Sequence, residues 1–217
     1  MWTRAPSGWR APSGWRAGER PPALSATNAY GKWNGAESVH YVDHADRYDR
    51  QLASFADAVL ERVQLEPHHS VLDVGCGCGA TTLTAARLAR AALGADLSAP
   101  PLEVAAGLAR SESVDNAEFM VAGAQTFAFA AGAFDFVISQ FGLMCFDDPV
   151  AAFANLRRAL ALGGRVVFVG WQGLEANEWV SVVGRAVTHH VALADLGGLD
   201  GGPGMFALKD PDETTAL

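Results

Sequence analysis

Residues 71–79 read Val-Leu-Asp-Val-Gly-Cys-Gly-Cys-Gly, an apolar strand that runs into three glycines spaced two apart. Glycines at 75, 77 and 79 let the backbone turn tightly at the strand's end. The Ala/Leu-rich stretch at 80–91 then reads as a helix, so the unit is strand, tight turn, helix. A strand that feeds into a crossover helix returns its next strand parallel to the first.

The rest of the chain repeats this alternation. Strands are expected at 70–75, Ala91–Asp96, Ala117–Val121, Phe134–Ser139 and Arg165–Trp171. Before them, Leu52, Phe55, Ala56, Val59, Leu60 and Val63 follow helical spacing from Asp46, and Pro67 ends that helix. Ser98 caps a helix with Pro100 in its first turn that reaches about Arg110. Further helices are expected at Asp148–Leu162, stopped by Gly163-Gly164, and from about Asn177 to Ala194, before a glycine-rich loop, Gly197–Gly204. Strands that are continuously apolar rather than alternating belong to a parallel sheet covered on both faces, an α/β fold.

The glycine turn brings a ligand close to main chain at the carboxyl edge of such a sheet. Asp96 closes the next strand, where an acid can accept from both hydroxyls of a ribose. A nucleoside-containing cofactor follows. Gly75, Gly77 and Ala80 formally match a dinucleotide pattern, but Asp73 would stand near a pyrophosphate and repel it. A ligand with an ammonium, a sulfonium and no phosphate, S-adenosylmethionine, suits that acid instead.

Charge and length exclude other classes. The 217 residues hold 24 acids and 16 bases, a net of −8. Residues 1–20 carry four arginines and one glutamate, which leaves −11 over the remainder. An acidic surface repels phosphate backbones, so nucleic acid is excluded as a partner. Three cysteines, Cys76, Cys78 and Cys145, give no disulfide framework and suit a reducing cytoplasm. The uncharged stretch 119–134 falls short of the roughly 20 apolar residues of a membrane span. A soluble, cytoplasmic chain is expected.

These residues resemble the class I S-adenosylmethionine-dependent methyltransferases over roughly 33–210. Residues 71–79 look like the family's first motif, and Gly94-Ala-Asp-Leu-Ser98 like its ribose-binding strand end. Phe134-Asp-Phe-Val-Ile-Ser139 resembles the fourth strand, and Leu162-Gly-Gly-Arg-Val166 the turn into the fifth. Trp33-Asn-Gly35 and Gln140-Phe-Gly-Leu-Met-Cys-Phe146 are similar to segments of bacterial ubiquinone/menaquinone-biosynthesis methyltransferases. The resemblance implies a Rossmann-like doubly wound sheet of five parallel strands, order 3-2-1-4-5, without the family's last two strands. It implies that Gly75, Cys76, Gly77 and Gly79 shape the methionine-end pocket and that Asp73 orients the amino group. Asp96 would hold the ribose, with Leu97 against the adenine and Gly123, Ala124, Gln125 and Gln140 completing the site. Gly123 replaces the family's acid at the adenine edge, and Gln140 its arginine after the fourth strand. Relatives continue past a segment like Met205–Pro211, so a C-terminally incomplete domain over 67–217 is expected. An active methyltransferase and a non-catalytic remnant both stay open, with an NAD-dependent dehydrogenase behind them.

Residues 1–32, with the repeat Ala-Pro-Ser-Gly-Trp-Arg at 5–10 and 11–16, are expected to be a disordered extension, and 33–66 a helical cap. If a base assists, His40, Tyr41 or His44 is the candidate; the plainer reading of the histidines is a solvated helix start. No metal site is expected, since a His40/His44 pair lacks an identifiable third ligand. Phe141 and Met144 are candidates for a small, partly apolar methyl acceptor, with core packing as the alternative.

Overall fold

The computed structural model describes residues 33–187, 190 and 202–217. Its sheet has five strands: β1 (Ser70–Val74), β2 (Ala91–Asp96), β3 (Ala117–Val121), β4 (Phe134–Gln140) and β5 (Leu160–Val169). All pair parallel, in the order β3-β2-β1-β4-β5. The expected fold class and strand order are those observed. The helices are α1 (Ala36–Asp43), α2 (Ala45–Val63), α3 (Ala80–Leu88), α4 (Ala99–Ser111), α5 (Pro149–Ala159), α6 (Glu178–Val187) and the short α7 (Pro211–Thr215).

Both faces of the central strands β1, β2 and β4 are buried, which is why these strands read as unbroken apolar runs, while β5 at the edge is only partly covered. Successive side chains point to opposite faces. Val71, Ala92, Phe119, Phe136 and Ile138 meet Val59 and Val63 of α2, Leu83 of α3 and Leu102 of α4 on one side. Leu72, Val74, Leu93 and Val137 meet Leu156 and Ala159 of α5 on the other. Chain order runs outward from β1 in both directions, so the crossovers diverge between β1 and β4. In such sheets a crevice opens at that point, outside the carboxyl ends of the strands.

Several boundaries differ from those expected, each for a physical reason. The α2 helix stops at Gln64, which adopts a left-handed conformation (φ 55°), rather than at Pro67. The α3 helix ends at Leu88, and Ala89 is already extended. Its short link to β2 needs no glycine because the Asn116 amide donates to the carbonyls of Ala86, Ala89 and Arg90 at 2.6–3.2 Å. Ser98 precedes α4 without capping it through its side chain; its hydroxyl bonds that of Ser38 at 2.7 Å instead. The α5 helix ends at Ala159, and Gly163-Gly164 falls inside β5 rather than at the helix's end. Phe134 pairs with Leu160 and Phe136 with Arg165, so extra residues loop out of β5 at Gly163 (φ 82°). Strand β5 then ends at Val169, short of Trp171.

The expected extension 1–32 lies outside the described residues, as do His189 and most of Gly197–Gly204. Among the described residues, no helix is long and apolar enough to cross a membrane.

Candidate functional site

The glycine turn after β1 folds onto the end of β2. Gly75, Gly77 and Gly79 all have positive φ, at 71°, 52° and 85°. The N–H groups of Gly75 and Cys76 donate to Ala95 O at 2.7 and 3.3 Å, and that of Gly79 to Cys76 O at 2.9 Å. The Gly77 N–H donates to Asp96 Oδ2 at 2.9 Å, while Asp96 Oδ1 accepts from Ser98 N at 2.9 Å. These loop amides are therefore engaged within the protein. A pyrophosphate cradle works by aiming such amides at the ligand. The Asp96 carboxylate is held in place by these backbone donors.

Asp73 lies beneath this loop. It is 1% exposed and pairs in register with Gly94 of β2, where the missing side chain leaves room for Phe119 and the Cys76 thiol. Its Oδ2 accepts from Thr82 Oγ1 at 2.6 Å. Burial pushes its pKa up to about 7; the Thr82 bond opposes that rise and the nearby Asp96 adds to it. Asp96 is likewise raised by burial, against the pull of its backbone donors. The site is thus a low-dielectric patch with two under-neutralised acids, an environment that favours a cation.

Residues from the N-terminal helices also reach this edge. Tyr41 of α1 lies on Gly77: a β-carbon there would come within 2.7 Å of the phenol oxygen. Burial raises the Tyr41 pKa strongly, with the nearby Cys78, Asp49 and Asp96 adding to the rise. The Ser38–Ser98 bond, both residues 2% exposed, fastens α1 to the start of α4. Asn34 Nδ2 donates to Leu97 O at 3.1 Å, giving the Trp33-Asn-Gly35 segment a position beside the β2 end. The sequence offered Tyr41 as a candidate base and Trp33-Asn-Gly35 as a motif, while Ser38 carried no signal.

Across the switch point, Ser139 Oγ donates to Val74 O at 2.7 Å and accepts from Gly142 N at 3.1 Å. Gly142 sits directly on Gly75: a β-carbon at 75 would meet the Gly142 Cα at 2.6 Å. Between them Phe141 adopts a left-handed conformation (φ 62°), with its N–H donating to Val169 O at 3.0 Å. For a bulky residue that conformation costs of order 1–3 kcal/mol, and it persists only where the surroundings enforce it. The Phe141 ring stacks on Trp171 (4.6 Å, 14°) and meets Phe55 of α2 edge-on at 5.2 Å.

Gln140 bonds two helices through its side-chain amide. Its Oε1 accepts from Thr81 Oγ1 at 3.2 Å and its Nε2 donates to Leu52 O at 2.7 Å, so it clamps α2 to α3. Gln125 Oε1 accepts from Asp148 N at 3.1 Å at the start of α5, and Ala124 O accepts from Asn155 Nδ2 at 2.7 Å. Met144 is 6% exposed. His40 and His44 are exposed and stack on each other at 4.3 Å, the solvated helix start already set beside the sharper readings. Among the described residues, no group of His, Cys, Asp and Glu could hold a metal ion. A separate cleft of about 510 Å³ lies between β5 and the C-terminal segment, lined by Phe153, Phe168, Trp171 and Leu208, and it contains none of the glycine-loop residues.

Residues 72–168 match the family model described as Methyltransferase domain. That stretch carries the glycine turn, Asp96 and all or most of each of the five strands of the sheet. The chain is 27% identical over 111 residues to the uncharacterized methyltransferase YcgJ of Bacillus subtilis, covering 51% of this chain and 44% of that protein. It is 36% identical over 141 residues to a demethylmenaquinone methyltransferase of Thermus thermophilus, covering 58% and 62% respectively. The YcgJ crystal structure superposes with a TM-score of 0.54 at 24% identity, over 61% of this chain and 58% of that one. Geranyl diphosphate C-methyltransferase from Streptomyces coelicolor, solved with S-adenosyl-L-homocysteine, gives 0.53 at 22%, over 63% and 52%. The chain spans about half the length of the first curated relatives it matches.

Proposed function

We propose that the chain binds S-adenosylmethionine at the carboxyl edge of β1–β4 and transfers its methyl group to a small, partly apolar acceptor. The observation that carries this reading is a glycine turn whose own amides are already bonded, set between a buried acid and one held by backbone donors. That arrangement leaves little for a pyrophosphate and favours a phosphate-free cationic nucleoside. An NAD-dependent dehydrogenase is disfavoured on the same ground.

In this reading the turn at Gly75, Cys76, Gly77 and Gly79 admits the methionine end, with Asp73 below it supplying negative potential rather than a direct contact. Asp96 accepts from the ribose hydroxyls and Leu97 lies against the adenine. Ala124 offers main chain to the adenine edge. Gly123 brings no carboxylate there, which costs about 1 kcal/mol of binding. Bound so, the cofactor supplies an electrophilic methyl on a sulfonium that departs as a neutral thioether, while the acceptor's displaced proton passes to solvent. The protein's part is alignment, worth several kcal/mol of barrier by proximity alone. Helices α1 and α2 form a cap over residues 67–217, held by Ser38, Gln140 and Tyr41. Phe141 and Met144 face the acceptor side.

The test is calorimetric titration of the full chain with S-adenosylhomocysteine. Binding is expected, weakened at least tenfold in Asp96→Ala, with none for NADH. Because Asp96 also anchors the turn, Asp96→Asn serves as a control that keeps an acceptor oxygen. A folded wild-type chain that ignores S-adenosylhomocysteine, or binds NADH comparably, refutes the proposal.

A further inference from the structure

Residues 140–142 touch three parts of the chain that are distant in sequence. Gln140 Oε1 accepts from Thr81 Oγ1 in the first turn of α3 at 3.2 Å, and its Nε2 donates to Leu52 O of α2 at 2.7 Å. The Phe141 ring meets Phe55 of α2 edge-on at 5.2 Å. Gly142 lies on Gly75 of the glycine turn: a β-carbon at 142 would come within 2.9 Å of the Gly75 Cα. Helix α2 meets the same turn a second time, near its start, where Tyr48 stacks on Tyr41 (5.3 Å, 27°) and the Tyr41 phenol lies on Gly77.

We infer that Gln140 is a positioning residue through which occupation of the glycine turn fixes helix α2, so that donor binding and the setting of the helical cap are one coupled event. The inference rests on the cofactor reading above and adds to it the means by which the cap is placed.

Two independent observations carry it. The first is that the bond to Leu52 is surplus to α2. A carbonyl in the interior of a helix already serves the amide four residues on, and the Gln140 amide takes its second lone pair. Removing that bond leaves no helix carbonyl unpaired. What the bond supplies is place, because it ties α2 at Leu52 to the first turn of α3. A side-chain amide suits the task, since one end accepts from the Thr81 hydroxyl while the other donates to Leu52.

The second is that the seam has no side chain to absorb a shift. Gly75 and Gly142 meet backbone to backbone, and Ser139 Oγ bonds Val74 O and Gly142 N at 2.7 and 3.1 Å. Phe141 holds a left-handed backbone (φ 62°), which a bulky residue keeps only where its surroundings enforce it. Close-packed groups pass a displacement on instead of damping it. A ligand seated on the glycine turn therefore presses through Gly142 on Phe141 and Gln140, and through them on Phe55 and Leu52 of α2.

The experiment follows backbone amide exchange in the full chain with and without saturating S-adenosylhomocysteine, beside a calorimetric titration. In wild type the ligand should slow exchange across residues 50–60 by at least roughly fivefold, the low end of the coupling between linked sites. Gln140→Met fills the same space without either bond, and Gln140→Glu keeps the acceptor for Thr81 but loses the donor to Leu52. Both are near-isosteric changes at a half-buried position, and both variants are expected to fold. In each, the slowing in α2 should fall below about twofold while residues 75–79 stay protected, and affinity should drop by no more than about fivefold. A side chain that served only as filler would leave Gln140→Met like wild type. Exchange in α2 that the ligand does not slow in wild type, or slows as strongly in either variant, overturns the inference while the isotherm leaves the cofactor reading intact. Failure of wild type to take up S-adenosylhomocysteine removes both.

Discussion

Replacing Asp73 with asparagine should separate what this acid does for the fold from what it does for the ligand. An ordinary aspartate titrates near 3.8, and burial pushes Asp73 up to about 7. At 1.36 kcal/mol per pH unit, the difference makes the ionised folded form costlier by roughly 4 kcal/mol. The sign follows from proton counting. Between pH 3.8 and about 7 the folded chain holds a proton that the unfolded chain has released. Stability contributed at this site therefore falls as pH rises through that window and levels off above it. Asp73→Asn removes the titration and leaves its amide near Thr82, at a constant cost of about 1–3 kcal/mol for an imperfectly satisfied group. In urea unfolding of both chains, the variant should gain on wild type by about 3 kcal/mol between pH 5 and pH 8.5. Asp96 is raised in the same direction and is present in both chains, so the difference reports Asp73 together with its coupling to Asp96. The same substitution should weaken S-adenosylmethionine, and wild-type affinity for that cation should rise from pH 6 to pH 8 as Asp73 ionises. A stability difference that stays constant across pH refutes the argument. So would cofactor affinity that is independent of pH in wild type.

Other positions give simpler outcomes. Gly77→Ala meets both a φ of 52° and the Tyr41 phenol, so affinity for S-adenosylhomocysteine should fall at least tenfold by calorimetry. Pairing it with Tyr41→Phe should recover part of that loss. Asn116→Ala releases three carbonyls at the α3–β2 link and should cost about 2–3 kcal/mol in urea unfolding, with ligand affinity unchanged once folded. Gly142→Ala drives a methyl group into Val74 O and the Ser139 hydroxyl, and should destabilise the chain by about 3 kcal/mol or more, read as a lower melting temperature.

The sheet was legible because its strands are short, apolar and bounded by glycine or acid. Ala91–Asp96 and Ala117–Val121 were read from the sequence to the residue, since each ends where a charged or small residue leaves the core. Helix ends were less visible. The stop at Gln64 needs a left-handed residue that any polar side chain can supply, and the link after α3 depends on Asn116, 26 residues downstream of Arg90. Gly163-Gly164 looked like a helix stop but serves as an irregularity within β5, because strand pairing with Phe134 begins at Leu160. In the site, Asp96 and the three glycines lie where motif spacing put them. Asp73, expected to orient an amino group directly or through water, lies buried on β1 with its carboxylate bonded to Thr82, a partner no local pattern announces. Gln140 points sideways into a clamp between two helices, and no local pattern announces a contact with Leu52.

The touching backbones of Gly75 and Gly142 bear on how a domain of this kind can be altered. With no side chain between them, the glycine turn after β1 and the 140–146 segment share one seam. Neither can be lengthened, shifted or regrafted at that seam without moving the other. A designer who transplants a new 140–146 loop must keep the bare backbone at 142 and work from Phe141 outward. A graft that ignores this would displace the glycine turn along with the loop.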